Sequence, residues 1–335
     1  MTSILCHVGL AKCASTTLQT SWDNATNYTG YFSHDLVATV RDSVLNNQSD
    51  LPQLKKVIEQ NRLGAGAFSD ATASYVVISD ESFTNSGIAT AADPQIARDV
   101  QECIAISLEA CVDRVLMMVR DPLSWIRSAY YQQIKQGAAY DFNEFMTTRR
   151  RNIIENLDLG GILARFSRLD RDLEVLPMEL LSSNEKQFWR DYEARLDFPA
   201  PDSVKPTDRL NTNVTLANTM TLHRSLNALL ERMEASVTRG NSPDRAMVLD
   251  ALKNARTWGT RRALTFANAD DLAFIEDALG TPSTIEPTIY QLDDVFTGEI
   301  EEKFLAPLRA RDFFPYPDIW ESYAASLSER VIEVY

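Results

Sequence analysis

The sequence predicts an α/β fold: a mainly parallel central sheet with helices on both faces, followed by a mostly helical C-terminal portion. Three observations lead there. Short apolar runs alternate with helical patterns through the first two hundred or so residues, as in sheets whose strands are buried on both faces and joined by crossovers. Beyond Asn211 the pattern is mostly helical. At 335 residues and 44% hydrophobic content, the chain is long enough to bury a large core without needing more than one domain.

The elements follow in order. Ser3 to Val8 reads as a buried strand that enters a small-residue loop and then a helix from about Thr16. Tyr75-Val76-Val77-Ile78-Ser79 is a second strand. Asp93-Pro94 opens an amphipathic helix running to about Ala110, with Ile96, Val100, Cys103, Ile104 and Leu108 on its inner face. Arg114 to Val119 is a third strand. Asp121 can cap a helix whose first position is Pro122, where a missing N–H costs nothing, so Arg120 falls at the carboxyl end of that strand. Leu173 to Pro177 is a short fourth strand, followed by Met178-Glu179-Leu180-Leu181 and a helix around 185–195. The proline-rich stretch from Phe198 to Pro206 reads as a long surface loop. No repeat, low-complexity tract or clear linker divides the chain, so residues 1–335 are expected to form one domain.

Composition excludes several classes. A net charge of −14 argues against nucleic-acid binding and makes a highly sulfated polymer an awkward acceptor. Arg149-Arg150-Arg151 is either a local basic patch or, more simply, a solvated helix face. Cys6, Cys13, Cys103 and Cys111 lack metal-ligand spacing, and His7, His34 and His223 are scattered, so no metal is expected. The N-terminus lacks a basic start, a long apolar core and a cleavage site. No run approaches about 18 apolar residues. A soluble, cytoplasmic protein with reduced thiols and no membrane partner is expected.

The stretch from Ile4 to Gln19 carries the chemistry. An apolar strand runs into a loop with one lysine, Lys12, and three hydroxyls, Ser15, Thr16 and Thr17, and then into a helix. Unpaired N–H groups at a helix N-terminus, its dipole and small neighbouring residues together make an anion cradle. Aligned on the Walker A pattern, Gly9 takes the first glycine, but Ala14 stands at the second and Ser15 at the required lysine. A Mg²⁺-dependent triphosphate hydrolase therefore fits poorly, whereas a loop holding a 5′-phosphate beside a transferable group fits well. Cys13 is either a thiolate favoured by Lys12 and the helix N-terminus or a small filler in a tight loop.

About a hundred residues on, Arg120-Asp121-Pro122 ends an apolar strand, and Ser128 follows Arg120 by a little over two helical turns, on a face that can turn back toward the same ligand. By itself a strand-to-helix turn with one lysine is most often a plain connection, and Arg-Asp-Pro a helix cap. Together, in this order, they point to phosphate.

The order Gly-x-x-Lys-x-x-Ser-Thr-Thr-Leu-Gln resembles the 5′-phosphosulfate loop of sulfotransferases that use 3′-phosphoadenosine-5′-phosphosulfate (PAPS). Arg120 and Ser128, with proline after the arginine and aromatics after the serine, resemble the same family's 3′-phosphate motif. Met178 to Leu181 and the following helix resemble the corresponding bacterial segment. Thr207-Asp208-Arg209-Leu210-Asn211-Thr212-Asn213 resembles a bacterial Arg-x-Asn-x-Ser-like stretch, with Asn213 replacing the last hydroxyl; Arg209 either reaches the ligand or belongs to an ordinary turn. The glycine-rich Arg-Lys-Gly element of the cytosolic branch is absent.

The resemblance implies a P-loop-like fold, PAPS as co-substrate and no metal. Gly9, Lys12, Cys13, Ala14, Ser15, Thr16 and Thr17 would surround the 5′-phosphate, Arg120 and Ser128 the 3′-phosphate, and Lys12 would serve the leaving oxygen. Glu81, in Ser79-Asp80-Glu81-Ser82-Phe83, falls where the cytosolic branch places its catalytic histidine; it is the candidate base, or only a loop cap. The heparan-type branch uses a glutamate shortly after the first helix. Here Tyr28 to His34 contains none, which makes His34 the alternate. From the acidic balance, the expected acceptor is a neutral or weakly charged hydroxylated glycan or small molecule, less readily an amine, with Trp125, Tyr130, Tyr131 and Tyr140 either lining its site or forming core. Two other classes stand beside this reading: a non-catalytic binding module for a 3′,5′-bisphosphate nucleotide, and a P-loop kinase.

Overall fold

Five parallel strands carry the fold: β1 (Ser3–His7), β2 (Tyr28–Tyr31), β3 (Tyr75–Ser79), β4 (Arg114–Val119) and β5 (Glu174–Pro177). Their spatial order is β2-β3-β1-β4-β5. The structure, a computed structural model, describes residues 2–31, 34–64, 68, 71, 73–84, 93–169, 173–202, 216–239, 244–267, 269–280, 287–309 and 314–334. In β1, β3 and β4 every residue after the first is buried. They read as unbroken apolar runs because both sheet faces are covered. Ile4 pairs with Val76 on one side of β1 and His7 with Leu116 on the other, and Val119 pairs with Pro177.

Helices α1 (Ser15–Asn24), α2 (His34–Asn46), α3 (Leu51–Gln60) and α4 (Pro94–Leu108) lie between β1 and β4 in sequence; α5 (Pro122–Lys135), α6 (Phe142–Asn156) and α7 (Leu159–Phe166) lead to β5; α8 (Met178–Ser183) and α9 (Glu185–Leu196) follow it. The step from β1 to β2 runs one way along the sheet, and every later step runs the other way. Because parallel crossovers are right-handed, α1 takes one face and α2 to α4 and α7 take the opposite face. The packing agrees: α4 meets α2, α3 and α7, whereas α1 meets β2 and β3. The expected α/β architecture is therefore present. Helix α4 begins as read, with the Asp93 carboxylate accepting from Gln95 N–H at 2.9 Å, and buries Val100, Cys103, Ile104 and Leu108, while Ile96 is half-buried.

The chain groups into two compact units: Met1–Trp125, Arg149–Asp208 and Asp293–Arg330 form the first, and Ile126–Thr148, Arg209–Leu292 and Val331–Tyr335 the second. The first also contains α14 (Asp294–Ile300), α15 (Ala306–Arg309) and α16 (Pro317–Glu329). In the second, α10 (Leu216–Arg239) packs on α11 (Arg245–Asn254), α12 (Thr260–Phe266) and α13 (Ala269–Leu279). Asn227 donates to the carbonyls of Ile134 and Ala138 at 2.8 and 2.9 Å, filling acceptors that a helix C-terminus leaves open. β6 (Thr288–Gln291) and β7 (Val331–Val334) form an antiparallel ladder there. Among the described residues no helix is long and apolar enough to cross a membrane.

Candidate functional site

The sheet order brings the two sequence motifs together. β1 and β4 are neighbours, and the chain leaves them in opposite directions along the sheet. The carboxyl ends on either side of such a reversal frame a crevice where ligands of doubly wound sheets sit. The loop from Val8 to Ala14 emerges from one end and Arg120 from the other.

That loop has an unusual backbone. Lys12 and Ala14 both adopt left-handed φ values, 69° and 62°, although neither is glycine. Each such residue carries a penalty of about 1–3 kcal/mol that its surroundings must offset. The offset is visible in the loop carbonyls. Gly9 C=O accepts from Thr84 Oγ1 at 2.8 Å, Leu10 C=O from Cys13 N–H at 3.1 Å, Ala11 C=O from Trp125 Nε1 at 2.6 Å and Lys12 C=O from Arg120 Nη1 at 3.3 Å. Ala14 C=O takes the first helical bond, from Leu18 N–H at 3.1 Å.

With five carbonyls engaged, what the loop has left is donors. No side chain caps α1, and the first N–H groups of a helix have no partner within it. Ala14 in left-handed and Ser15 in helical conformation form an anion-binding concavity of successive N–H groups. The Ser15 hydroxyl is buried, 3% exposed, with no hydrogen-bond partner. A buried hydroxyl without a partner is costly unless something else occupies it. Lys12 is half-buried at the loop crest. The residues present fit an oxyanion.

A second layer holds these braces. Asp121 caps α5 through Ser124 N–H at 2.7 Å, as the sequence indicated. Its own N–H donates to Glu179 Oε1 at 3.0 Å, and Tyr323 Oη donates to Glu179 Oε2. Burial and the adjacent Glu179 carboxylate push the Tyr323 phenol far above its ordinary range, so it remains a donor. Thr84 is tied in turn to Gln101 and, through it, to Arg165. Trp125→Phe removes the indole N–H and strands the Ala11 carbonyl. We expect it to destabilise the chain by about 1–3 kcal/mol in denaturant titration. An unchanged midpoint would show that the carbonyl finds water instead.

Beneath the loop, His7 ends β1 with its ring fully buried. Its Nδ1 lies 2.7 Å from Ser79 Oγ, and its edge meets Trp22 with centroids 5.5 Å apart. Burial lowers its pKa to about 3, which leaves it neutral. A Cβ on Gly9 would lie 2.7 Å from His7 Nε2. Glycine is therefore required here by the imidazole packed below as well as by any anion above.

The remaining sequence candidates fall as follows. Cys13 is fully buried rather than exposed, and its N–H is committed to Leu10, which leaves the filler role. Thr16 is exposed and Thr17 half-buried on the first turn of α1. Ser128 is half-buried on α5, in the second unit. Trp125, Tyr130 and Tyr131 are 1%, 2% and 8% exposed, which makes them core rather than an acceptor lining; Tyr140 is half-buried. Glu81 opens the short 3₁₀ turn Glu81–Phe83 directly after β3, and His34 begins α2; their side chains lie outside the described residues, as does Arg209 entirely. Sequence reasoning did not find the roles of Thr84, Glu179, Tyr323 and His7. For His7 a signal existed: a histidine inside an otherwise apolar strand, two residues before the loop glycine.

No family model and no curated protein matches the chain. Among solved structures it is similar to a sulfotransferase from Alicyclobacillus acidocaldarius, at 15% identity over 72% of this chain and 98% of that chain, with a TM-score of 0.42. The likeness is weak, and the functional reading rests on the loop.

Proposed function

We propose that the chain is a sulfotransferase that moves the sulfuryl group of PAPS to a hydroxyl of a neutral glycan or small molecule. The observation that carries this reading is the loop's hydrogen-bond accounting: side chains of β4–α5 and of the turn after β3 hold the Gly9, Ala11 and Lys12 carbonyls, leaving the loop N–H groups other than those of Val8, Leu10 and Cys13, the Ser15 hydroxyl and Lys12 for an anion. Ser15 stands where a nucleotide triphosphatase needs its lysine, which favours a phosphosulfate over Mg²⁺-triphosphate.

In the transfer the acceptor oxygen forms a bond to sulfur as the bond from sulfur to the 5′-phosphate oxygen breaks, and the acceptor proton passes to a base. The loop N–H groups with Ser15, Thr16 and Thr17 hold the 5′-phosphate, and Lys12 stabilises charge growing on the leaving oxygen. Arg120 takes the 3′-phosphate. The chain should then bind 3′-phosphoadenosine 5′-phosphate about tenfold or more tightly than AMP, since a charge-assisted contact contributes about 1.5–3 kcal/mol. Equal affinities by calorimetry would sink the 3′-phosphate assignment. Thermal stabilisation by Mg²⁺-ATP and not by PAPS would favour a kinase, and binding without turnover on any acceptor a binding module.

For the base we propose Glu81, which follows β3 on the carboxyl-end side of the sheet, with His34 as alternate. Once a screen with radiolabelled PAPS has found an acceptor, Glu81→Gln should suppress transfer by about 10² or more and leave nucleotide affinity nearly unchanged. If His34→Ala does this and Glu81→Gln does not, the base belongs to the start of α2.

A further inference from the structure

Arg120 stands where the sheet stops holding the chain. The ladder between β4 and β5 ends with Val119 opposite Pro177, and proline has no N–H with which to carry it on. Pro122 then opens α5, again without an N–H. Arg120 and Asp121 cross the gap between strand and helix, and the peptide that joins them is held by a side chain: Asp121 N–H donates to Glu179 Oε1 at 3.0 Å. Glu179 is the second residue of α8, just past the proline that ends the ladder. Its carboxylate takes over the pairing where the backbone of β5 cannot continue it.

Glu179 is itself fixed, because its Oε2 accepts from Tyr323 Oη, a phenol on a ring only 1% exposed in α16. Asp121 is tied a second time, through the bond from Ser124 N–H to its Oδ1 at 2.7 Å. The guanidinium of Arg120 is much less committed. Among the described residues it makes one bond, from Nη1 to the Lys12 carbonyl at 3.3 Å, whereas a guanidinium carries five N–H donors. A half-buried arginine with an anchored backbone and donors to spare presents them to an anion from a fixed origin.

We propose, resting on the nucleotide-site reading, that Glu179 is a positioning residue for Arg120 and so sets the preference for a nucleotide that carries a 3′-phosphate. Glu179 acts through Arg120 and not on the ligand. It fixes the peptide next to the Arg120 side chain, and Tyr323 keeps its carboxylate from turning away. An arginine–phosphate contact is directional, so a swing of this peptide weakens the hold on the 3′-phosphate and leaves the loop's hold on the 5′-phosphate.

The test compares calorimetric affinities of the full chain for 3′-phosphoadenosine 5′-phosphate and for AMP. The wild-type chain prefers the bisphosphate by about tenfold or more. Glu179→Ala is expected to bring that ratio below about threefold by weakening the bisphosphate, with AMP affinity within about twofold of wild type. Glu179→Gln still accepts from Asp121 N–H and can donate to Tyr323 Oη, and should keep most of the preference. In an Arg120→Ala background, Glu179→Ala should weaken the bisphosphate by less than about twofold, because the residue it acts through is gone. A merely structural glutamate weakens both nucleotides alike, or the bisphosphate equally in both backgrounds; either result, or a glutamine that fails to restore the preference, overturns the proposal. If Glu179→Ala does not fold, Tyr323→Phe decides in its place: it should lower the ratio by about twofold or more, and an unchanged ratio overturns the proposal. A wild-type chain that binds the two nucleotides equally, or binds neither, removes the site reading itself, an outcome distinct from a wild-type preference that survives in the variants.

Discussion

Lys12→Ala is expected to lower sulfuryl transfer by about 10² or more while weakening nucleotide binding much less. In the proposed transfer the lysine meets charge that grows on the leaving oxygen, and an interaction made mainly in the transition state appears in turnover rather than in affinity. The substitution is a clean one. Lys12 has a φ of 69°, and alanine carries the same Cβ penalty there, so backbone strain is not relieved. Its carbonyl keeps the bond to Arg120, and stability should change by no more than about 0.5 kcal/mol. Single-turnover rates beside calorimetric binding read the two effects apart. Normal turnover in Lys12→Ala would remove the lysine from the mechanism.

Gly9→Ala should damage both stability and turnover. The new Cβ would meet His7 Nε2 at 2.7 Å, His7 Cε1 at 2.9 Å and Ser15 Oγ at 3.2 Å. The imidazole cannot retreat, because it is fully buried, bonded to Ser79 and packed on Trp22. Overpacking of this kind costs about 1–3 kcal/mol, and the loop must shift to absorb it. A shift of about 1 Å at a transfer site lowers turnover by about 10². Adding His7→Asn, which shortens the side chain below, should recover part of the stability but not the loop's anion affinity. An undisturbed melting temperature in Gly9→Ala would falsify the steric requirement for glycine over the imidazole.

The fold was legible where periodicity and apolar runs are strong. β1, β3, β4 and β5 coincide with the apolar segments, and α4 begins at the predicted Asp93-Pro94. β2 was not legible, because Tyr28-Thr29-Gly30-Tyr31 is an edge strand with one buried residue and no long apolar run. The ladder of β6 and β7 was hidden for a similar reason: its residues alternate in burial or are largely exposed, and the two strands stand far apart in sequence. Within the site, the sequence singled out the loop and Arg120 as candidate ligand groups. It could not show that Arg120 and Trp125 also hold loop carbonyls, since those bonds join positions more than a hundred residues apart. Of the two roles open to Trp125, acceptor lining or core, its 1% exposure selects core, and its indole N–H is in addition a brace.

The bond from Tyr323 to Glu179 bears on how the protein is made. Glu179 receives the Asp121 N–H at the start of α5 on one oxygen and the Tyr323 phenol on the other, and Tyr323 lies in α16, near the end of the chain. A nascent polypeptide that has emerged as far as α8 has every strand of its parallel sheet, the loop after β1 and Arg120, but one oxygen of Glu179 still lacks its donor. The loop braces therefore reach their final form only after residues 317–329 have left the ribosome.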